Sequence, residues 1–218
     1  MLKDKDDLLA QKEVLLTEIH HRVKNNMAVI SSLLLLQSER CTDDSVRDSY
    51  LDTENRVRSM ALVHEMVYEQ KNFTSIAMND LLGRLARLLQ DTFEQPGKQI
   101  SVDVISRDVY LDMNRTIPCT LLVNELVSNA FKHAFSGRDE GKVQIRMEKT
   151  GPDFYVLSVE DNGRGVEQIE HLSKSASFGY TIIHGLARQL RGKVECTNTN
   201  EGFAVRVAFG ANEQNSKE

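Results

Sequence analysis

The stretch Asn124–Phe135, NELVSNAFKHAF, decides how the second half of this chain is read. Glu125, Asn129 and His133 recur every four residues, so a helix puts them on one face, with Lys132 beside them. Leu122, Leu126, Ala130 and Ala134 fall on the packing side, and the spacing predicts a helix over 115–135. An acid, an amide and a base aligned over two turns are able to hold a metal and a phosphate chain. The carboxamide oxygen of Asn129 suits magnesium, which keeps waters and phosphate oxygens as its other ligands. A solvated polar face would use the same residue types, so the line alone does not settle the chemistry.

Downstream, Glu160-Asp161-Asn162-Gly163-Arg164-Gly165 ends an alternating run, Phe154–Glu160, that reads as a strand. A carboxylate such as Asp161 can accept a hydrogen bond from an exocyclic amine like that of adenine. Gly163 and Gly165 permit close backbone approach. Asp, Asn and Gly also dominate ordinary turns, which is the commoner reading of such a segment in isolation. Ser177-Phe178-Gly179 precedes a helical run, and Gly179 can present free amides to phosphate, although a simple cap by Ser177 is the commoner reading of such a segment by itself. Neither GxxxxGK[ST] nor GxGxxG occurs, so the common nucleotide folds lack support.

The first half has another character. Residues 1–39 contain no Pro or Gly, and Leu9, Leu16, Ile19, Val23, Met27, Ile30, Leu33 and Leu34 repeat close to a heptad. Cys41–Asp44 reads as a turn capped by Thr42 or Asp43. A second helix follows over 44–70, with Val46, Leu51, Val57, Met60, Ala61, Val63, His64 and Val67 as its inner stripe. Two such helices form an antiparallel hairpin with one apolar side left over, which a second copy would cover as a four-helix bundle. On the first helix the projection turns His21 away from the apolar stripe, with Asn25 one turn below, and puts His20 at the stripe's edge. An exposed neutral imidazole is a competent nucleophile near pH 7, though most surface histidines are only that. His64-Glu65 is no zinc motif, because Tyr68 stands where the second His would be.

Between and beyond these segments, Phe73–Met78 reads as a short strand, and Asn79 or Asp80 as the cap of a helix to Phe93. Strands are expected over 99–105, 142–149, 193–199 and 202–209, a helix over 179–191, and a polar, disordered tail after Gly210. Of the 218 residues, 40% are hydrophobic and 27% charged, with a net charge of -5, which gives no reason to expect nucleic acid or an anionic membrane as partner. The longest aliphatic run, Leu33–Leu36, is far too short to span a bilayer. Cys41, Cys119 and Cys196 fit no zinc or disulfide pattern, which points to a reducing, cytoplasmic setting.

Taken together and in order, these segments resemble the HisKA_2 and HWE-like histidine kinases. LLTEIHHRVKNNMAVISSLLLLQS (15–38) resembles their histidine-bearing helix, and RVRSMALVHEMVYE (56–69) their second dimerisation helix. NELVSNAFKHAF resembles the N-box of the GHKL (Bergerat-type) ATPase fold, EDNGRGV (160–166) its first glycine box, and SFGYTIIHGLARQLRGKVE (177–195) the second. The resemblance, over about residues 8–209, implies that His21 accepts the phosphoryl group; the helical projection adds Asn25, one turn away, to contact the imidazole or the incoming phosphate. It implies that Glu125 acts near the γ-phosphate, Asn129 binds Mg2+, and Lys132 and His133 approach phosphates. Asp161 then recognises adenine, with Gly163 and Gly165 shaping that pocket and Gly179 at the hinge of the ATP lid. Phe178 and Tyr180 stand where the family usually has leucines, Phe203 follows Gly202 where Thr is common, and Val166–Ser177 is short for a lid.

The expected architecture is therefore an α-helical hairpin over 1–70, forming a four-helix bundle on dimerisation, an α/β sandwich ATP-binding domain over 72–210, and a tail over 211–218. The expected activity is that of a two-component sensor histidine kinase core, using ATP and Mg2+ and passing phosphate to the aspartate of a response-regulator receiver domain. A homodimer is expected, with packing of the hairpin against its own ATP domain as the alternative in a monomer, and the charged segment 1–15 would suit continuation from an upstream sensor. Two other functions are compatible with parts of the pattern: a GHKL-fold serine kinase, which has no need of the His21 helix, and a histidine phosphotransferase or scaffold with a decayed ATP domain.

Overall fold

The computed structural model describes residues 2–70, 75–167, 169 and 178–210, without the side chains of 2–17, 20, 69, 70 and 178. The expected tail, most of the expected lid, Ser177, and Phe73 and Thr74 of the first expected strand lie outside the described residues, as does the side chain of His20. By its internal contacts the chain divides into two compact units, Met1–Phe73 and Thr74–Glu218.

The first unit is a hairpin of α1 (Leu2–Arg40) and α2 (Asp44–Gln70). Asp43 starts α2: its Oδ1 accepts from the amides of Ser45 (2.9 Å) and Val46 (3.2 Å), satisfying two of the donors a helix start leaves over. The helices run antiparallel, and polar clamps set their register. Ser31 Oγ donates to Glu54 (2.6 Å), and Lys24 Nζ meets Glu65 (2.5 Å). Val23, Met27 and Leu34 are half-buried, whereas Ile19, Ile30 and Leu33 are exposed. The heptad read as one stripe is thus divided between two faces. The same holds for α2: Val63 and Val67 are buried as expected, but Val46 and Leu51 belong to the exposed side rather than the inner one.

The second unit is a two-layer α/β sandwich. Strands β2 (Gln99–Ser106), β4 (Glu140–Gly151), β5 (Phe154–Asp161), β6 (Lys193–Asn198) and β7 (Phe203–Gly210) form one sheet in the order β2-β4-β5-β7-β6. Only β2 and β4 pair in parallel. One face presents Val143, Ile145, Met147, Leu157, Val159, Val205, Val207 and Phe209, all buried, while Arg146, Glu148 and Arg206 alternate onto the exposed face. Helices α3 (Met78–Phe93), α4 (Met113–Asn129) and α5 (Phe178–Gln189) pack on the apolar face.

Two helix starts are instructive. Neither Asn79 nor Asp80 caps α3; Ala77 stands at that position with no side-chain cap. The ribbon of β1 (Ile76–Ala77) and β3 (Tyr110–Leu111) sets the start instead, and Met78 N donates to Val109 O (2.9 Å). At α4 Asp112 is a true cap, accepting from Arg115 N (3.2 Å). Among the described residues no helix is long and apolar enough to cross a membrane.

Candidate functional site

The α-helix carrying Glu125 and Asn129 does not continue unchanged to residue 135. Ala130–Ala134 form a π-helical turn, which widens the spiral just where Lys132 and His133 sit. Such turns often mark functional positions. His133 is therefore not in α-helical phase with Asn129, as even four-residue spacing would require. Both nevertheless line one cavity of about 750 Å³ on the second unit.

Asp161 and Gly165 line the same cavity. Asp161 is only 8% exposed. Its Oδ1 accepts from the amide of Gly163 (2.9 Å). Burial pushes its carboxyl above the usual carboxylate range, opposed by the amides of Gly163 and Phe203, while neighbouring Glu160 adds to the rise. The loop after β5 is pinned at both ends. Asn162 exchanges backbone and side-chain bonds with Lys142 (3.1 and 2.7 Å), and Asn198 holds Val166 through both amide atoms (2.9 and 2.7 Å). Gly163 lies against Ala134, where a Cβ would collide with that residue's side chain and carbonyl, and Gly165 adopts φ +69°.

Glu125 is 4% exposed and accepts from Asn124 Nδ2 (3.2 Å). A Cβ added at Gly179 would lie 3.8 Å from both Glu125 Oε2 and Asn129 Oδ1. The start of α5 thus meets the carboxylate and the amide that the sequence placed on one face. Lys132 is exposed and outside the cavity wall. His21 and Asn25 belong to the first unit, where both are exposed.

The sequence reading missed part of the wall: Tyr180, Ile183 and His184 from α5, Val194 and Cys196 from β6, and Phe203 from β7. Their helical and alternating spacings announced buried faces, but not that those faces meet over one cavity. A second cavity, about 790 Å³, lies between the end of α3 and the starts of β2 and β4 and holds none of the expected residues. Volume alone does not pick the site; the converging polar groups do.

The residues present fit a magnesium–nucleotide. Asn129 and Glu125 offer hard oxygens, and the absence of a Cβ at Gly179 leaves the space beside them open. Asp161 offers a buried acceptor within an otherwise largely apolar wall.

Two family models match the chain: one described as histidine kinase, over residues 18–93, and one as histidine kinase-, DNA gyrase B- and HSP90-like ATPase, over 114–212. The chain belongs to the histidine kinases. Among histidine kinases it is similar to the sensor histidine kinase PdtaS of Mycobacterium tuberculosis, with 32% identity over 96% of this chain and 42% of the relative. Blue-light-activated histidine kinase 2 of Erythrobacter litoralis is 27% identical over 91% of this chain and 58% of its own length. The chain thus spans less than two thirds of the curated relatives it matches. A solved histidine kinase domain from an Erythrobacter litoralis blue-light-activated histidine kinase superposes with a TM-score of 0.65 at 26% identity, covering 94% of each chain.

Proposed function

We propose that this chain is the ATP-dependent catalytic core of a two-component sensor kinase: it transfers the γ-phosphoryl group of ATP to His21 and then to an aspartate of a response-regulator receiver domain. The observation that carries the reading is the meeting of Glu125, Asn129 and Gly179 on the unit whose cavity also holds buried Asp161, in a chain that carries an exposed histidine on a helical hairpin.

Phosphoryl transfer asks mainly for positioning and for stabilisation of spread negative charge. The neutral imidazole of His21 supplies a ring-nitrogen lone pair; a P–N bond forms as the bond to the β-phosphate oxygen breaks, and the other ring nitrogen can release its proton. Asn25, one turn along the exposed side, contacts the imidazole or the arriving phosphoryl group. Asp161 accepts from the exocyclic amine of adenine, and Gly165 lets the backbone approach the base. Asn129 would hold a magnesium ion, with Glu125 nearby. His133, which lines the cavity, meets phosphate oxygens, and Gly179 leaves them room; Lys132, outside the wall, adds only its charge nearby. Bound magnesium would neutralise phosphate charge.

The exposed apolar side of the hairpin supports a homodimer in which the seam is buried between two copies. Incubation with γ-labelled ATP tests the kinase reading. Wild type should acquire an acid-labile, alkali-stable label. His21→Gln should lose it while still binding ATP in calorimetry, and Asn129→Asp should lose both label and magnesium-dependent binding. His20→Gln should keep substantial labelling. Label persisting in His21→Gln would overturn the acceptor assignment; a wild-type chain that binds no ATP would indicate a decayed domain.

A further inference from the structure

The His21 and Tyr68 rings meet across the hairpin, with centroids 5.6 Å apart and planes inclined at 59°. One helical turn further along α1, and one turn back along α2, Lys24 and Glu65 form an ion pair at 2.5 Å. The antiparallel register therefore brings two consecutive cross-helix contacts to the level of His21. The separation and tilt are those of a favourable aromatic pair. Arg22, next to His21, is engaged with Glu18 on its own helix (2.7 Å) and points its charge along α1.

An exposed imidazole otherwise rotates about its side-chain torsions, and in-line transfer penalises each misdirected orientation. We propose that Tyr68 is a positioning residue for phosphoryl transfer: its ring braces the His21 imidazole in one orientation, and the Lys24–Glu65 pair holds the two helices at the register that brings the rings together. This rests on His21 being the phosphoacceptor. The ring, not the hydroxyl, carries the role, so Phe at this position should serve and an aliphatic residue should not. Glu65→Gln should weaken the register and act in the same direction as loss of the ring, but less.

The test uses the full chain as Tyr68→Phe and Tyr68→Leu variants, with histidine-selective isotope labelling. Tyr68→Phe should autophosphorylate near the wild-type rate. Tyr68→Leu should lose roughly tenfold in rate at saturating ATP, about the worth of an aromatic pair, with ATP affinity unchanged. The His21 ring-proton resonances, assigned through His21→Gln, should show the ring-current displacement of a neighbouring aromatic in wild type and Tyr68→Phe and lose it in Tyr68→Leu. A merely structural role would lower the rate of Tyr68→Leu together with its melting temperature, whereas positioning lowers the rate at an unchanged melting temperature; a rate loss that tracks lost stability, or a wild-type His21 resonance without the displacement, would overturn the proposal. So would a wild-type rate in Tyr68→Leu. Label surviving in His21→Gln is a separate failure: it removes the acceptor assignment, and the positioning role with it.

Discussion

Asp161 is held in conditions that disfavour its charge. It is almost fully buried, and desolvation raises its carboxyl pKa above the ordinary value despite the amides of Gly163 and Phe203. A raised pKa means the ionised form is less favourable in the folded chain than in the unfolded one. The stability penalty is therefore present above the folded pKa and disappears as pH falls through it. Without nucleotide, Asp161→Asn should melt at or above the wild-type temperature at neutral pH, and the difference should shrink on acidification; a clearly lower neutral-pH melting point would refute this. ATP affinity should move the other way, weaker in Asp161→Asn, and weakening in wild type as acid protonates the carboxylate. Gly163→Ala should also impair the site, because its Cβ would meet the side chain and carbonyl of Ala134; overpacking of that kind typically costs about 1–3 kcal/mol, readable by denaturant titration. Asp161, Gly163 and Gly165 were legible because the acid and the turn glycines adjoin in sequence. The contact that Gly202 makes with that loop was not: a Cβ there would strike the Asp161 carbonyl, from the bend just before β7 some forty residues later.

At the scale of elements, alternation and apolar periodicity located most helices and strands to within a residue or two, because each signal is local. What depended on pairing was hidden. The start of α3 follows from the β1–β3 ribbon rather than from Asn79 or Asp80, and neither two-residue strand is long enough to show a period. The π-helical turn at Ala130–Ala134 was equally invisible, since its residues suit an α-helix as well. One cross-element link invites a direct test. Arg115, in the first turn of α4, makes a bidentate bond to Asp153 in the β4–β5 turn, at 2.5 and 3.0 Å. That hydrogen bond is the main reason the Arg115 guanidinium pKa is raised. Both side chains are partly solvated, so the pair should contribute no more than about 1 kcal/mol. A double-mutant cycle of Arg115→Ala and Asp153→Ala should return a coupling of that size, and high salt should reduce it.

At the scale of the molecule, the first unit leaves apolar surface that its own two helices do not cover. Ile19, Val29, Ile30, Leu33 and Leu36 of α1 are all exposed, Leu33 at 55%, together with Val46 and Leu51 of α2. Isolated exposed leucines are unremarkable, but a run of them along one helix marks an association surface. A two-fold axis along that seam would bury each residue twice per dimer. Fully burying one leucine is worth about 1.5–3 kcal/mol, and since Leu33 is only 55% exposed the dimer adds roughly half of that per copy. Leu33→Glu forfeits that gain in both subunits and sets two carboxylates against each other near the axis. The dimer should weaken by a factor on the order of 100 or more, since each 1.4 kcal/mol is tenfold in dissociation constant. Light scattering across a dilution series should find the wild-type chain at twice the monomer mass and Leu33→Glu at the monomer mass. ATP affinity should be unchanged, because the cavity proposed to hold nucleotide is lined, among the described residues, by the second unit alone. A wild-type chain that stays monomeric at high concentration, or a Leu33→Glu dimer as tight as wild type, would remove this seam as the interface.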